Sequence, residues 1–397
     1  MHYFDHAATT PLDESVLEAM KPYLTTDFGN PSSVHHYGRE ARAALERSRE
    51  TVAATLSCDP KEIVFTSGGT ESVNSILKGA AFASPPRARH LVVSAVEHSC
   101  VLECADTLTN HGYSVTAVGV DSQGRVNPRD IEKAIRPGET FLISVMAANN
   151  EVGTLQPIGE IGNIARGYKV LFHTDAVQAY GKIPLDLEKQ SIDFLSVSGH
   201  KIYGPKGVGF FYQGKGRELV PLLQGGGQER DRRGGTENVA GIVGLAEAAK
   251  RLCGDNLEQG RLRVLVRSFQ DRLKELFPDL RINGAENPDQ RIPGLLNITL
   301  KGLQGETLVH SLDARGYAVS SGSACAAGSA PPSHVLLAMG RTLKEAKQGL
   351  RFSFGRHNTG EELNEFLQGL PSVIQGLEMM SSFLDEEEPS KDQNKTK

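Results

Sequence analysis

Long hydrophobic runs are missing from this chain. No stretch of about 18 apolar residues occurs, which excludes a helical membrane span. The opening "MHYFDHAATTP" has neither the basic segment nor the apolar segment of a secretory leader, so a cytoplasmic protein is expected. Basic charge is not in excess either: 43 Lys and Arg face 48 Asp and Glu, a net charge of -5. That removes the electrostatic footprint of a nucleic-acid binder and leaves small anionic or zwitterionic ligands open. Five cysteines (Cys58, Cys100, Cys104, Cys253, Cys325) are an odd number with no C-x-x-C pair, which argues against both a disulfide framework and a zinc knuckle. No internal repeat is found.

At 397 residues the chain exceeds one ordinary core, and two lobes are expected. Between about residues 60 and 212, "EIVFT", "LVVSA", "SVTAVGV", "FLISVM", "KVLFHTD", "DFLSVS" and "GVGFFY" read as strands alternating with helix-like stretches. This alternation predicts an α/β unit with a mainly parallel sheet covered by helices. Val239 to Phe277 reads as helical, including the amphipathic connector "LRVLVRSFQDRLKELF". Beyond it, "GLLNITL", "GETLVHSLDARG", "LRFSFG" and "EELNEFLQGLPSVIQGLEMM" suggest a smaller α+β lobe, followed by a polar tail that should be disordered.

Sheets of this kind bind ligands beyond the carboxyl ends of their strands. Lys201 follows "DFLSVS" among Ser198, Gly199 and His200, where a lysine can lose its proton and form a Schiff base. Asp175 ends "KVLFHTD", where a carboxylate could keep a pyridinium nitrogen protonated, and Gln178 lies one turn on. "FTSGGTES" turns from a strand into a helix near Thr70, a phosphate cradle that matches neither Walker A nor G-x-G-x-x-G. His98 and the pair Asn149–Asn150 follow two further strands. Each has a plain alternative when read alone: a surface lysine, a helix-capping aspartate, a tight turn, a structural histidine, turn-forming asparagines. All five fall at carboxyl ends of strands in one expected sheet, and this shared placement favours a single site.

Cys325 lies in "SSGSACAAGSAPPSHVLLAMG", among small residues and prolines with few large apolar neighbours. The other four cysteines sit in or beside helix-like stretches and read as structural or incidental.

The order of "FDHAATTP", "FGNPSS", "FTSGGTES", Glu97-His98, "NNEVG", "HTDAVQ", "SGHKIYGPKG", "GGGQER", "RRGGTEN", "SSGSAC" and "LRFSFGR" resembles the cysteine desulfurases of the NifS and IscS kind, up to about residue 380. The resemblance implies the type I aminotransferase fold: a large domain (16–258) with a mainly parallel seven-stranded sheet, a small domain (1–15 and 259–384) carrying the cysteine loop 320–334, and a tail from 385 to 397. It implies pyridoxal phosphate held by Lys201, with Asp175 on the ring nitrogen, Gln178 and Asn150 beside the phenolic oxygen, and His98 over the ring. Gly69, Thr70, Ser198 and His200 would hold the phosphate, Thr236 would reach the cofactor of a second copy in a homodimer, and Arg351 and Asn150 would bind substrate.

Cys325 would take sulfur from L-cysteine as a persulfide, with Lys201 and His98 handling protons and L-alanine as co-product. Acceptors would be iron–sulfur scaffold proteins or tRNA-thiolation enzymes. No resident metal, direct nucleic-acid contact or membrane contact is implied, although Cys325 could ligate an iron–sulfur centre during transfer. Gly69 stands where some members have alanine, and "AAGSAPPSH" differs from more polar versions of the loop. The alternatives are a selenocysteine lyase, a class V aminotransferase that has no need of Cys325, and a non-catalytic subunit of a sulfur-assembly complex.

Overall fold

The computed structural model describes residues 1–253, 256–321 and 331–386. A short strand β1 (His2–Tyr3) precedes helices α1 (Glu14–Thr25) and α2 (His36–Leu56). Then strands and helices alternate: β2 (Ile63–Thr66), α3 (Gly69–Ala83), β3 (His90–Ser94), α4 (Ser99–Asn110), β4 (Ser114–Val118), α5 (Pro128–Ala134), β5 (Thr140–Ser144) and α6 (Ile158–Tyr168). Three strands follow directly, β6 (Leu171–Asp175), β7 (Phe194–Ser198) and β8 (Gly209–Gln213), and then α7 (Val239–Leu252) and α8 (Asn256–Leu276). All seven strands expected between residues 60 and 212 are present. They form one sheet of order β2-β8-β7-β6-β5-β3-β4, in which only β8 runs antiparallel to its neighbours.

β2, β3, β5, β7 and β8 are buried along their whole length, which explains why they read as continuous apolar runs. Alternate side chains feed two cores. Phe65, Val92, Ile143, Leu195 and Phe210 pack on one face with residues of α2, α6 and α7; Val64, Leu91, Leu142, Phe194 and Phe211 pack on the other with α3 and α4.

The expected helical stretch from Val239 to Phe277 is two helices. Cys253 leaves α7 in an extended conformation, at the head of the turn-forming sequence Cys-Gly-Asp-Asn. The halves serve different cores: Ile242, Leu245 and Ala249 of α7 join the sheet, while Leu262, Val266, Phe269 and Leu273 of α8 join a separate cluster. That cluster is built on the antiparallel strands β9 (Arg281–Asn283) and β10 (Leu295–Thr299), helix α9 (Gly305–Asp313), the short strand β11 (Tyr317–Ala318) and, beyond α10 (His334–Ala338) and α11 (Leu343–Ala346), on β12 (Gly349–Ser353) and α12 (Gly360–Glu386). β1 pairs parallel with β11, tying the start of the chain to this cluster through Phe4. α12 runs through Glu386, taking in the first two residues of the expected tail; 387–397 lie outside the described residues.

Close approach at one glycine fixes the loop after β2. A Cβ on Gly209 would stand 2.4 Å from the Val197 carbonyl oxygen and 2.7 Å from the Gly68 Cα, so only glycine lets that loop lie against β8.

The same region is braced by a buried ion pair. Arg49 of α2 binds Glu229 in a two-pronged contact (2.8 and 2.7 Å) and donates to the Ile63 carbonyl, while Glu229 Oε2 also accepts from the Phe65 amide. Glu229, Arg230 and Asp231 all have positive φ (46°, 56° and 63°), a costly conformation for side-chain-bearing residues that the ion pair holds in place. Glu229→Ala strands a buried guanidinium and is expected to lower stability by about 3–5 kcal/mol, read as a fall in the urea midpoint.

Candidate active site

Five strand ends meet at one cavity of about 470 Å³. Gly69, Thr70, His98, Asn150, Asp175, Gln178, Ser198, His200, Lys201 and Arg351 all line it. Thr236 does not: it is exposed, away from the cavity walls. Cys325 lies outside the described residues, but the chain on both sides of it is at this site. Ser320 pairs backbone-to-backbone with Arg351, and Pro331, Pro332, Ser333 and His334 form part of the wall.

Lys201 sits at the end of a single 3₁₀ turn that follows β7. Its Nζ donates to the carbonyl oxygens of Ala7 (2.6 Å) and Ala8 (2.7 Å). The N-terminal segment is strapped across this turn: Thr10 donates through its amide and its hydroxyl to the His200 carbonyl, and its hydroxyl accepts from the Tyr203 amide. Thr9 Oγ1 meets His200 Nδ1 at 3.1 Å. Burial and the neighbouring Lys201, Lys206 and Lys182 push the His200 imidazole down to about 4, so it is neutral near pH 7.

Asp175 ends β6 with its carboxyl buried, accepting from the Val177 amide at 2.9 Å. Burial raises its pKa, opposed by that amide and by His98 and Lys201. His98 caps α4: Nδ1 accepts from the Cys100 amide at 3.1 Å, which places the proton of the neutral ring on Nε2. Solvent still reaches the ring, yet the surrounding protein lowers its pKa, with Lys201 and His334 adding to the effect and Asp175 opposing it.

Next to His98 in the chain, Glu97 is fully buried, with Oε1 accepting from Ser94 Oγ (2.6 Å) and the Met146 amide (2.8 Å) and Oε2 without a partner. Burial, with a smaller contribution from Asp175, pushes Glu97 up to about 8, so it is mostly protonated at pH 7. A folded-state pKa above the unfolded one makes stability complete below about pH 4.5 and progressively lost as pH rises to about 8, at up to about 1.4 kcal/mol per pH unit. Glu97→Gln keeps the shape without the titration. Its melting temperature is therefore expected to gain on the parent as both are scanned from pH 5 to 9.

The loop Thr66–Gly69 delivers α3 to the cavity with Gly68 as N-cap, a residue that offers no side chain to the first helical amides. Those donors, Thr70 and the hydroxyl of Ser198 border the cavity together. An uncapped helix start beside neutral His200 and Lys201 is suited to a phosphate.

The asparagine pair divides. Asn149 is structural, donating to the Val96 carbonyl and accepting from the amides of Glu151 and Val152. Asn150 lines the cavity, and its carbonyl accepts from Arg351 Nη1 at 2.9 Å. Arg351 Nη2 pairs with Asp5 at 2.8 Å, and its buried Nε has no partner.

Several participants had no readable signal. Ala7 and Ala8 act through carbonyl oxygens, which no side-chain pattern reveals. Glu151 is buried and accepts from Ser333 Oγ (2.5 Å), and His334 Nε2 meets the Glu97 carbonyl oxygen at 2.9 Å, so the residues that follow the cysteine segment are moored to the large sheet. Cys100, expected to be structural or incidental, is in the cavity wall; burial pushes its thiol pKa up, which keeps it protonated. Among the described residues no group of His, Cys, Asp and Glu is arranged to hold a metal ion, and no helix is long and apolar enough to cross a membrane.

The aminotransferase class-V family model matches residues 2–366. The chain belongs to that family. It is 44% identical over 385 residues to the cysteine desulfurase IscS of Dictyoglomus turgidum, covering 97% of each chain, and 45% identical over 377 residues to the putative cysteine desulfurase IscS 1 of Bacillus subtilis, covering 94% and 99%. Among solved structures, a NifS-like protein aligns with a TM-score of 0.87 at 39% identity (94% of this chain, 99% of that one). A second, described as SspA in complex with cysteine, aligns at 0.78 and 38% (90% and 100%). Within the class-V aminotransferases the chain is therefore of the cysteine desulfurase group, with that group's fold.

Proposed function

We propose that the protein transfers sulfur from L-cysteine to Cys325, releasing L-alanine, with pyridoxal phosphate held in the cavity described above. The residues fit that group. Lys201 supplies the amine that anchors it, Asp175 a buried acid for its ring nitrogen, Gln178 and Asn150 the contacts to its phenolic oxygen, and His98 a ring to stack on it. Gly69, Thr70, Ser198 and His200, at the uncapped start of α3, take its phosphate. When bound, the group supplies a sink for the electron pair left on the substrate's α-carbon.

The protein's own part is to bind, orient and move protons. Arg351 holds the substrate carboxylate through its unpartnered Nε and the outer edge of its guanidinium, with Asp5 and the Asn150 carbonyl fixing its plane. Lys201 moves the proton on the α-carbon. His98, neutral with its proton on Nε2, stands beside Lys201 and Asp175 to take or return the thiol proton.

In the sulfur step the substrate's C–S bond breaks and an S–S bond forms on Cys325. The enzyme sulfur is oxidised to the persulfide level and the substrate carbon is reduced, so enzyme thiol plus cysteine equals enzyme persulfide plus alanine.

The observation that carries this reading is the meeting of Lys201, Asp175, His98 and Arg351 in one cavity, with one flank of the cysteine segment, Pro331–His334, in its wall and the other, Ser320, paired with the cavity-lining Arg351. Cys325 is five residues from Ser320. Even a fully extended path keeps it within about 18 Å of that anchor.

A homodimer accords with exposed Thr236 and with the exposed apolar side chains Leu24, Phe28, Val34 and Tyr37 near the start of the chain. The division at 16–258 and 259–384 accords with the separate clusters of α7 and α8. The persulfide would be passed to a thiol acceptor of iron–sulfur assembly or tRNA thiolation.

The test is stoichiometry. The cofactor-loaded protein given L-cysteine without reductant should form one alanine per active site and gain one sulfur by mass spectrometry at Cys325. Alanine formation with the added sulfur elsewhere, or pyridoxamine phosphate formation with a keto acid instead, would overturn it.

A further inference from the structure

A second lysine lies behind Lys201, and the proposed chemistry does not use it. Lys182 follows the turn after β6, four residues beyond Gln178. Part of its side chain meets solvent, but its amine is enclosed and donates to Gln178 Oε1 at 3.2 Å. Gln178 Nε2 in turn donates to the Ala7 carbonyl at 2.8 Å, the same oxygen that accepts from Lys201 Nζ at 2.6 Å. The two amines are thus joined through one side-chain amide and one backbone carbonyl. They also line a common cavity of about 30 Å³, room for about one water, separate from the main cavity.

This arrangement has two physical consequences. An ammonium can only donate, so Lys182 dictates that Gln178 presents Oε1 backward and keeps Nε2 toward Ala7 and the main cavity. A cation at this position also raises the local potential at Lys201. The groups facing the pair are His6, His200, Arg351, Asp175, His98 and, across the small cavity, Glu258. His6 and His200 are held neutral near pH 7, both pushed down to about 4 chiefly by burial. Arg351 is paired with Asp5, Glu258 makes two 3.0 Å contacts with Arg261, and Asp175 lies on the cofactor side of Lys201. Burial, then repulsion from Lys201 and Arg351, pushes Lys182 down to about 7, so its charge changes in the working range of pH.

We propose that Lys182 is a positioning residue for the cofactor site, fixing the Gln178 amide and placing a positive charge near Lys201 that favours the unprotonated state of the Lys201 nitrogen. This rests on the reading of Lys201 as the cofactor-bearing lysine, and it assigns Lys182 no contact with substrate.

The test is a pH titration of the absorbance of the cofactor-loaded protein, without substrate, in the parent and in Lys182→Met, Lys182→Gln and Lys182→Arg. Methionine removes both charge and donor, glutamine restores a donor for Gln178, and arginine keeps both. The midpoint of the absorbance change is expected to move up by about one pH unit in Lys182→Met and Lys182→Gln, and to stay near the parent's in Lys182→Arg. Should Lys182→Met fail to fold, the glutamine and arginine variants still separate charge from packing. Midpoints within about 0.2 units of the parent in both neutral variants, or an arginine variant shifted as far as the neutral ones, would overturn the proposal. A parent protein with no pH-dependent absorbance, or with the cofactor attached elsewhere by peptide mapping after borohydride reduction, would instead refute the reading of Lys201.

Discussion

Cys325→Ala is expected to form no alanine and no sulfide from L-cysteine, with activity below about one thousandth of the parent's, while its cofactor absorbance and melting temperature stay those of the parent. Alanine formation needs somewhere for the substrate sulfur to go, and no other cysteine offers a comparable acceptor. Cys100 is the rival closest to the cavity, and burial raises its thiol pKa, as it does for Cys58, Cys104 and Cys253. A protonated, enclosed thiol is a poor nucleophile, because attack requires the thiolate. Cys325 instead belongs to a segment flanked by Ser320, which pairs with the cavity-lining Arg351, and by Pro331 in the cavity wall. Cys325 is not among the residues that would hold the cofactor, so the spectrum separates loss of the acceptor from loss of the site. The assay is alanine release by chromatography beside an absorbance scan of the same sample. Near-normal alanine with added sulfur on Cys100 would transfer the role to Cys100.

The sheet was legible because five of its strands are buried from end to end and therefore read as unbroken β-branched and aromatic runs. Ends of strands, where ligands collect, could then be scanned for residues with chemistry, and ten of the expected residues do line one cavity. The cavity-lining Asn150 and the structural Asn149 could not be told apart, because adjacent residues of one type differ only in which way the turn directs them. The strap formed by Ala7, Ala8, Thr9 and Thr10 gave little warning, since it works through main-chain carbonyls and short hydroxyls. Lys182 was hidden for another reason: its importance is its hydrogen bond to Gln178 and the small cavity it shares with Lys201, both properties of the folded chain. The break between α7 and α8 was foreshadowed only by the turn-forming residues after Cys253, which a periodic apolar pattern on both sides obscured.

Lys201→Ala should reduce alanine formation by roughly 10³-fold or more and let the cofactor wash out on gel filtration, because both its anchoring amine and the mobile proton are lost. The more discriminating variant is Lys201→Arg. A guanidinium keeps a positive charge and donors that can reach the Ala7 and Ala8 carbonyls, so the strap over the turn after β7 survives and the melting temperature should stay within a few degrees of the parent's. It cannot surrender a proton near neutral pH, however, and it makes a poor amine nucleophile. If Lys201 acts only by tying the N-terminal segment to that turn, arginine should restore activity to within about tenfold of the parent. If it acts by holding and moving a proton, arginine should be as inactive as alanine despite the intact strap. The second outcome is expected, since the two carbonyls that bind Nζ can accept hydrogen bonds from either side chain but only an amine can alternate between accepting and releasing the proton.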